Sequence, residues 1–278
     1  MPVVVFGAVL LAAFLHAAWN ALVKNADDKF LTTVIVAASA ALLAAIALPF
    51  LNQPDSASWP YIGTSAVIHV VYFVLIAFAY HLADMSQSYP LMRGTAPFLV
   101  ALAGAFLLRE PLSSTAWIGI SLISLGVLSM VGIKQEGDGK GIALALLNAF
   151  VIASYTLVDG YGVRLSEAPV AYTLWVFLIT GIPLACGSLI MNRATAGPHA
   201  RANWRMGLLG GFGTLAAYSL VLWAMTAAPV AVVAALRETS IIFGTAISAL
   251  VLKEGIKGNR WAAVCIIALG AIVLRIAA

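Results

Sequence analysis

The sequence predicts an all-α integral membrane protein, with ten transmembrane helices forming two inverted five-helix repeats around a central cavity. Three observations lead there. Of 278 residues, 63% are hydrophobic and 9% charged, with a mean hydropathy of +1.02, whereas soluble domains carry about 25% charged residues. Polar, Gly and Pro punctuation cuts the chain into ten apolar segments, each near the ~20 residues that a helix needs to cross a bilayer. Five residue pairs also recur 144 positions apart: Arg93 and Arg237, Arg109 and Lys253, Glu110 and Glu254, Trp117 and Trp261, Gly126 and Gly270. Repetition at one fixed offset is the mark of an internal duplication.

In order, the predicted spans are 3–23, 30–51, 60–82, 86–108, 112–133, 139–159, 169–191, 204–227, 230–252 and 256–277. The first lacks the basic leader of a signal peptide and is read as a retained helix. The polar link Lys134-Gln135-Glu136-Gly137-Asp138 separates a first repeat, residues 1–134, from a second, residues 139–278. Five helices per repeat is an odd number, so the two copies must enter the membrane in opposite senses. Inverted repeats of this kind place a substrate site at their interface near mid-membrane.

Composition also excludes. Net charge is +4, but the Lys and Arg are scattered over short connections, which fits basic membrane loops and no nucleic acid. Cys186 and Cys265 stand alone in apolar runs, with no second thiol for a redox or zinc motif. No Walker A loop, HExxH, CxxC or GxSxG occurs, so no enzyme, metal or cofactor is indicated. Odd-numbered junctions hold Lys24, Lys29, Lys134, Lys140, Arg193, Arg201, Arg205, Lys253, Lys257 and Arg260, against Arg109 and Arg164 on even ones. The positive-inside rule therefore puts the odd junctions in the cytoplasm and the termini outside it.

The stretch Tyr89 to Glu110 carries the strongest chemical signal, because Arg93 falls well inside its apolar length. A charge there costs about 2.5–3.5 kcal/mol on insertion scales and must face a bundle interior or wet cavity. A buried guanidinium binds a carboxylate or phosphate through paired hydrogen bonds, or it locks the bundle by pairing with Glu238. Arg237 has the same two readings. Glu238, unmatched in the first half, is the candidate for proton coupling. Neighbouring helical residues point about 100° apart, so Arg237 and Glu238 should not both fully face one cavity.

On the third segment, His69, Tyr72, Phe73, Ile76 and Tyr80 form one stripe at helical spacing. It serves either as a pocket wall for stacking and cation–π contact or as ordinary packing. His16 and Asn20, four apart beside Trp19, line the cavity or bond a neighbouring helix. Tyr155 shares a face with Asn148 and Asp159, of which Asp159, with Arg164, is expected to anchor at the interface. Trp175 and Trp223 are candidates to close the cavity from the second repeat, and Tyr89 flanks Arg93. Trp59, Trp117, Trp204 and Trp261, near span ends, read as belt residues.

With the block Tyr89-Pro90-Leu91-Met92-Arg93-Gly94-Thr95-Ala96-Pro97 and two segments that each end in a basic residue plus Glu, the chain resembles, along essentially its whole length, EamA-type members of the drug/metabolite transporter superfamily. It looks most like bacterial exporters of amino acids, including aromatic ones. That resemblance implies alternating access around a central cavity, a small-molecule substrate, no covalent chemistry, and a multi-pass protein of the inner membrane with both termini cytoplasmic, opposite to the charge count. The second half departs from the pattern, with Val233-Ala234 against Tyr89-Pro90 and Glu238 against Gly94. The alternatives are a carrier of phosphorylated or phosphonate organic anions and a non-transporting membrane protein. A duplicated chain supplies both halves of a cavity, so a monomer suffices, with the lipid bilayer and the substrate as its partners.

Overall fold

The computed structural model describes residues 1–24, 26–82, 85–131, 139–191, 193–251, 253 and 258–277, with side chains except at 77, 79–82, 85–86 and 193. The polar link between the predicted repeats, Glu254, and the side chains of Tyr80 and His81 lie outside that description.

The described residues form helices joined by short turns: α1 Val3–Lys24, α2 Lys29–Ala47, α3 Trp59–Leu82, α4 Met85–Leu107, α5 Ser114–Leu128, α6 Gly139–Leu165, α7 Pro169–Met191, α8 Arg193–Met225, α9 Val230–Arg237, α10 Ser240–Leu250 and α11 Gly258–Ala277. Among the described residues, nine spans, one of them α9 and α10 together, are long and apolar enough to cross a membrane, and α5 is a shorter apolar helix. Turn chemistry sets several starts. Asp28 accepts from the Leu31 amide at the head of α2, and Ser113 from the Ala116 amide at the head of α5.

Three helices differ from expectation. α6 runs to Leu165 rather than stopping at 159, which carries Asp159 a turn and a half back from the helix end. α8 begins at Arg193 and bends at Asn203, whose backbone leaves helical values at φ −114° and ψ 18°. The ninth span breaks in two at Glu238-Thr239, where no Pro or Gly stands. There the amides of Glu238 and Thr239 donate three residues back, to Ala235 and Leu236, and the Thr239 hydroxyl also donates to the Leu236 carbonyl at 2.7 Å. Such back-bonding tightens the turn and bends the helix.

The helices pack mainly as α5 on α11, α2 on α8 and α7, α3 on α6, α1 on α8, and α4 on α6. Close approach of α5 and α11 depends on glycine. A Cβ on Gly126 would stand 2.8 Å from Ile267 Cγ1, and one on Gly270 would stand 2.7 Å from Ile123 Cγ1. Arg109, two positions past α4, and Lys253, three past α10, adopt the left-handed region at φ 53° and 54°. This conformation costs a non-glycine residue roughly 1–2 kcal/mol. The same backbone turn therefore recurs 144 positions later. α9 is buried from Val230 to Leu236 and forms the centre of the bundle against α4, α1 and α5.

Candidate functional site

Two helices bring charge into the bundle interior. Arg93 projects from α4 and Glu238 from the break between α9 and α10, and Arg93 Nε donates to Glu238 Oε2 at 2.9 Å with both side chains under 10% exposed. Arg93 Nη2 has no acceptor among the described residues. Tyr89, one turn earlier, lies with its ring centroid 6.0 Å from the Arg93 guanidinium carbon. Next door, Asn148 gives an amide hydrogen to Met92 Sδ at 3.0 Å.

Arg237 takes a different partner. Its guanidinium carbon sits 5.3 Å from the ring centroid of Tyr218 on α8, a cation–π contact. Both Arg237 and Glu238 border one cavity of ≈ 10 Å³, with Arg93, Thr156 and Ala234. That is room for about one water. Against the expectation that the two would not both fully face one cavity, both line this one, although their heads take different partners, Glu238 reaching Arg93 and Arg237 reaching Tyr218. His16 on α1, set edge-on to Trp19 at 5.4 Å, lies within electrostatic reach of both arginines. Asn20 donates to the His16 carbonyl of its own helix at 2.7 Å, which is the structural role.

Behind Tyr218 lies a second polar centre. Asp159, expected to anchor at the interface, is fully buried. Tyr218 donates its hydroxyl to Asp159 Oδ2 at 2.6 Å, and Tyr172 donates to Oδ1 at 3.0 Å. α6 continues past 159, and α7 and α8 enclose the carboxylate, so it does not reach out to an interface. The His69 ring stacks on Tyr155 with centroids 4.1 Å apart and meets Tyr218 edge-on at 5.9 Å. Its Nδ1 donates to the Ser65 carbonyl at 2.9 Å and lies 3.1 Å from Ser65 Oγ. Tyr72 meets Tyr155 edge-on at 5.9 Å. Thus His69, Tyr72, Tyr155, Arg237, Glu238, Arg93, Tyr89 and His16 gather around one interior region, joined by Asp159, Tyr172 and Tyr218.

Two predicted wall residues do not join it. Trp175 packs on Trp59 at 4.9 Å and gives its indole hydrogen to Gln53 Oε1 at 2.9 Å, which ties α7 to the turn before α3. It is the seventh residue of α7, six positions from the helix start. Trp223, near the end of α8, is 37% exposed and makes no ring contact with this cluster among the described residues. Of the tryptophans read as belt residues, Trp204 and Trp261 are more than half exposed.

At the end of the bundle that carries Trp59 and Trp175, Glu110 and Arg164 form an ion pair. Their charged atoms meet at 2.5 Å, and Glu110 Oε2 accepts from the Val230 amide at 2.9 Å, capping α9. Arg164 also donates to the Met225 and Ala228 carbonyls at 2.8 and 3.0 Å. Arg164 was expected only as an anchor; it is the hub that fixes the turn between α8 and α9. A separate hollow of ≈ 520 Å³, lined by Leu102, Phe106, Phe150 and Leu157, lies on the outer face of α4 and α6 and is apolar. It suits acyl chains, and the charged residues lie elsewhere.

Comparison with known proteins agrees with this architecture. The sequence pattern of the EamA-like transporter family matches residues 3–132 and again residues 139–276. An uncharacterized transporter of Synechocystis is 25% identical over 188 residues, covering 59% of this chain; the match spans 56% of that relative's length. One crystal structure superposes with a TM-score of 0.77 at 19% identity, covering 98% of this chain and 96% of its own, which establishes a shared fold. The chain is accordingly a multi-pass membrane protein that belongs to the EamA-like transporter family of the drug/metabolite transporter superfamily, a family of small-molecule transporters.

Proposed function

We propose that this protein is a secondary transporter that exports amino acids, neutral and aromatic ones included, across the inner membrane by alternating access between two inverted repeats, residues 1–134 and 139–278. One observation carries the substrate class. Arg93 is neutralised by Glu238, but Arg237, its partner 144 positions on, has no carboxylate among the described residues. The position that would mirror Glu238 is Gly94, where an added Cβ would fall 2.7 Å from Leu128 Cγ, so no acidic side chain fits there. The substrate carboxylate supplies the missing charge at Arg237. Its side chain lies on Tyr155, Tyr218 and Tyr72, whose faces suit aromatic and thioether groups. An interior with room for about one water is an occluded arrangement, as alternating access requires between its two open states.

Liposomes holding purified protein should show counterflow of labelled phenylalanine and methionine. Arg237→Ala should reduce it at least tenfold at low substrate, while unaltered counterflow by that variant would overturn the assignment. A carrier of phosphorylated anions would draw on both arginines together, and the Glu238 bridge disfavours it. Counterflow of a phosphorylated three-carbon acid in the same liposomes, in place of the amino acids, would replace this reading with that one.

A further inference from the structure

We infer that Asp159, together with His69, is a proton-binding site that couples the movement of substrate to a proton gradient. The inference extends the transport reading above, from substrate recognition to its driving force. Three carboxylates with described side chains lie in or near the interior. Glu238 has Arg93 and Glu110 has Arg164, but Asp159 meets no cation at salt-bridge distance among the described residues. Its partners are the hydroxyls of Tyr172 and Tyr218. A fully buried carboxylate held by neutral donors alone is costly as an anion, and a proton removes that cost. Intramembrane Asp and His chains are the usual material of proton relays.

The surroundings favour a mobile proton over a fixed structural bond. From α3, His69 and Tyr61 face this centre; from α6 itself, Tyr155; from α7, Tyr172; from α8, Tyr218; and from α9, Arg237 acts on His69 and Tyr218 through space. Each phenol accepts as well as donates. When Asp159 takes up a proton, one tyrosine hydroxyl turns from donor to acceptor without leaving its place. When it releases the proton, the phenol turns back. His69 gives its Nδ1 hydrogen to the Ser65 carbonyl at 2.9 Å, and its ring meets Tyr218, whose hydroxyl is on Asp159, edge-on at 5.9 Å, so carboxylate and imidazole belong to one cluster. Tyr218 touches Asp159 with its hydroxyl and Arg237 with its ring. A substrate carboxylate arriving at Arg237 changes the charge on one side of that ring while the proton changes it on the other. This reading moves proton coupling away from Glu238, whose carboxylate is already engaged.

Two measurements decide it. Infrared titration of the purified protein should show a protonated-carboxyl stretch that appears on acidification, is lost in Asp159→Asn and survives in Glu238→Gln. The same band persisting in Asp159→Asn overturns the proposal, and this result needs no substrate. In liposomes, a one-unit pH gradient of the effective polarity supports up to about tenfold substrate enrichment for a one-proton exchange or symport. Wild type should approach that ratio and Asp159→Asn should stay near one, with counterflow of the same preparation reporting how much transport survives. Enrichment by Asp159→Asn equal to wild type, or loss of counterflow in parallel with enrichment, overturns coupling at Asp159; the second result reassigns it to substrate binding. His69→Gln, a milder change, should lower enrichment more than counterflow. If no amino acid shows counterflow in wild type, the substrate reading falls and the infrared result alone decides the proton site.

Discussion

Gly126 and Gly270 lie 144 positions apart, and each rests on the isoleucine three residues before the other, Ile267 and Ile123. Residue contacts of this reciprocal kind are what a two-fold axis produces in a dimer; here both sides belong to one chain. Replacing either glycine by alanine pushes a methyl into a packed seam and should lower stability by roughly 1–3 kcal/mol. Near-equal shifts in detergent thermal unfolding are expected for Gly126→Ala and Gly270→Ala. A large effect of one and none of the other would contradict the reciprocity.

The Arg93–Glu238 bridge is buried, so removing one partner strands the other charge. Arg93→Met or Glu238→Leu alone should cost about 3–5 kcal/mol, whereas the double apolar variant should regain most of that loss. Thermal unfolding of all four proteins as a double-mutant cycle measures the coupling directly. Additive losses would show that the bridge is not what holds α4 to the ninth span.

Glu110 and Arg164 are partly exposed, 14% and 30% at the side chain, so their pairing is worth little to overall stability. Its effect is on which end of the bundle stays closed. With Cys186 and Cys265 changed to Ser, a cysteine placed at Thr156, 3% exposed beside the cavity, should react slowly with a thiol reagent added from the Glu110 side. Glu110→Gln should speed that labelling several-fold with little change in melting temperature. Unchanged labelling would show that the latch does not control access.

The membrane class, the apolar helices and the interior placement of Arg93 and Glu238 are legible in the sequence, because hydropathy and the cost of an intramembrane charge are local properties of the residue list. Other features depend on partners that are distant in sequence. The break at Glu238-Thr239 has no Pro or Gly to announce it; a threonine hydroxyl bonded to its own helix makes it. The apolar run reads as ending at Asp159, which puts that residue at the interface; the helix continues to Leu165, and partners on α7 and α8 bury it. Its donors stand on α7 and α8, Tyr172 and Tyr218, neither of which carries a local signal of polarity. Trp175 reads as interior from its apolar neighbours, yet the partner that fixes it is Gln53, in a turn far away in sequence.

The composition of α9 bears on how such a bundle moves at all. From Val230 to Leu236 its buried surface is made of Ala, Val and a single Leu, side chains with few rotamers to lose or exchange. Short side chains of this kind grip α4 and α1 over little depth, so the register of the segment is fixed chiefly at its two ends, by the Glu110 carboxylate on the Val230 amide and by the Glu238 bridge to Arg93.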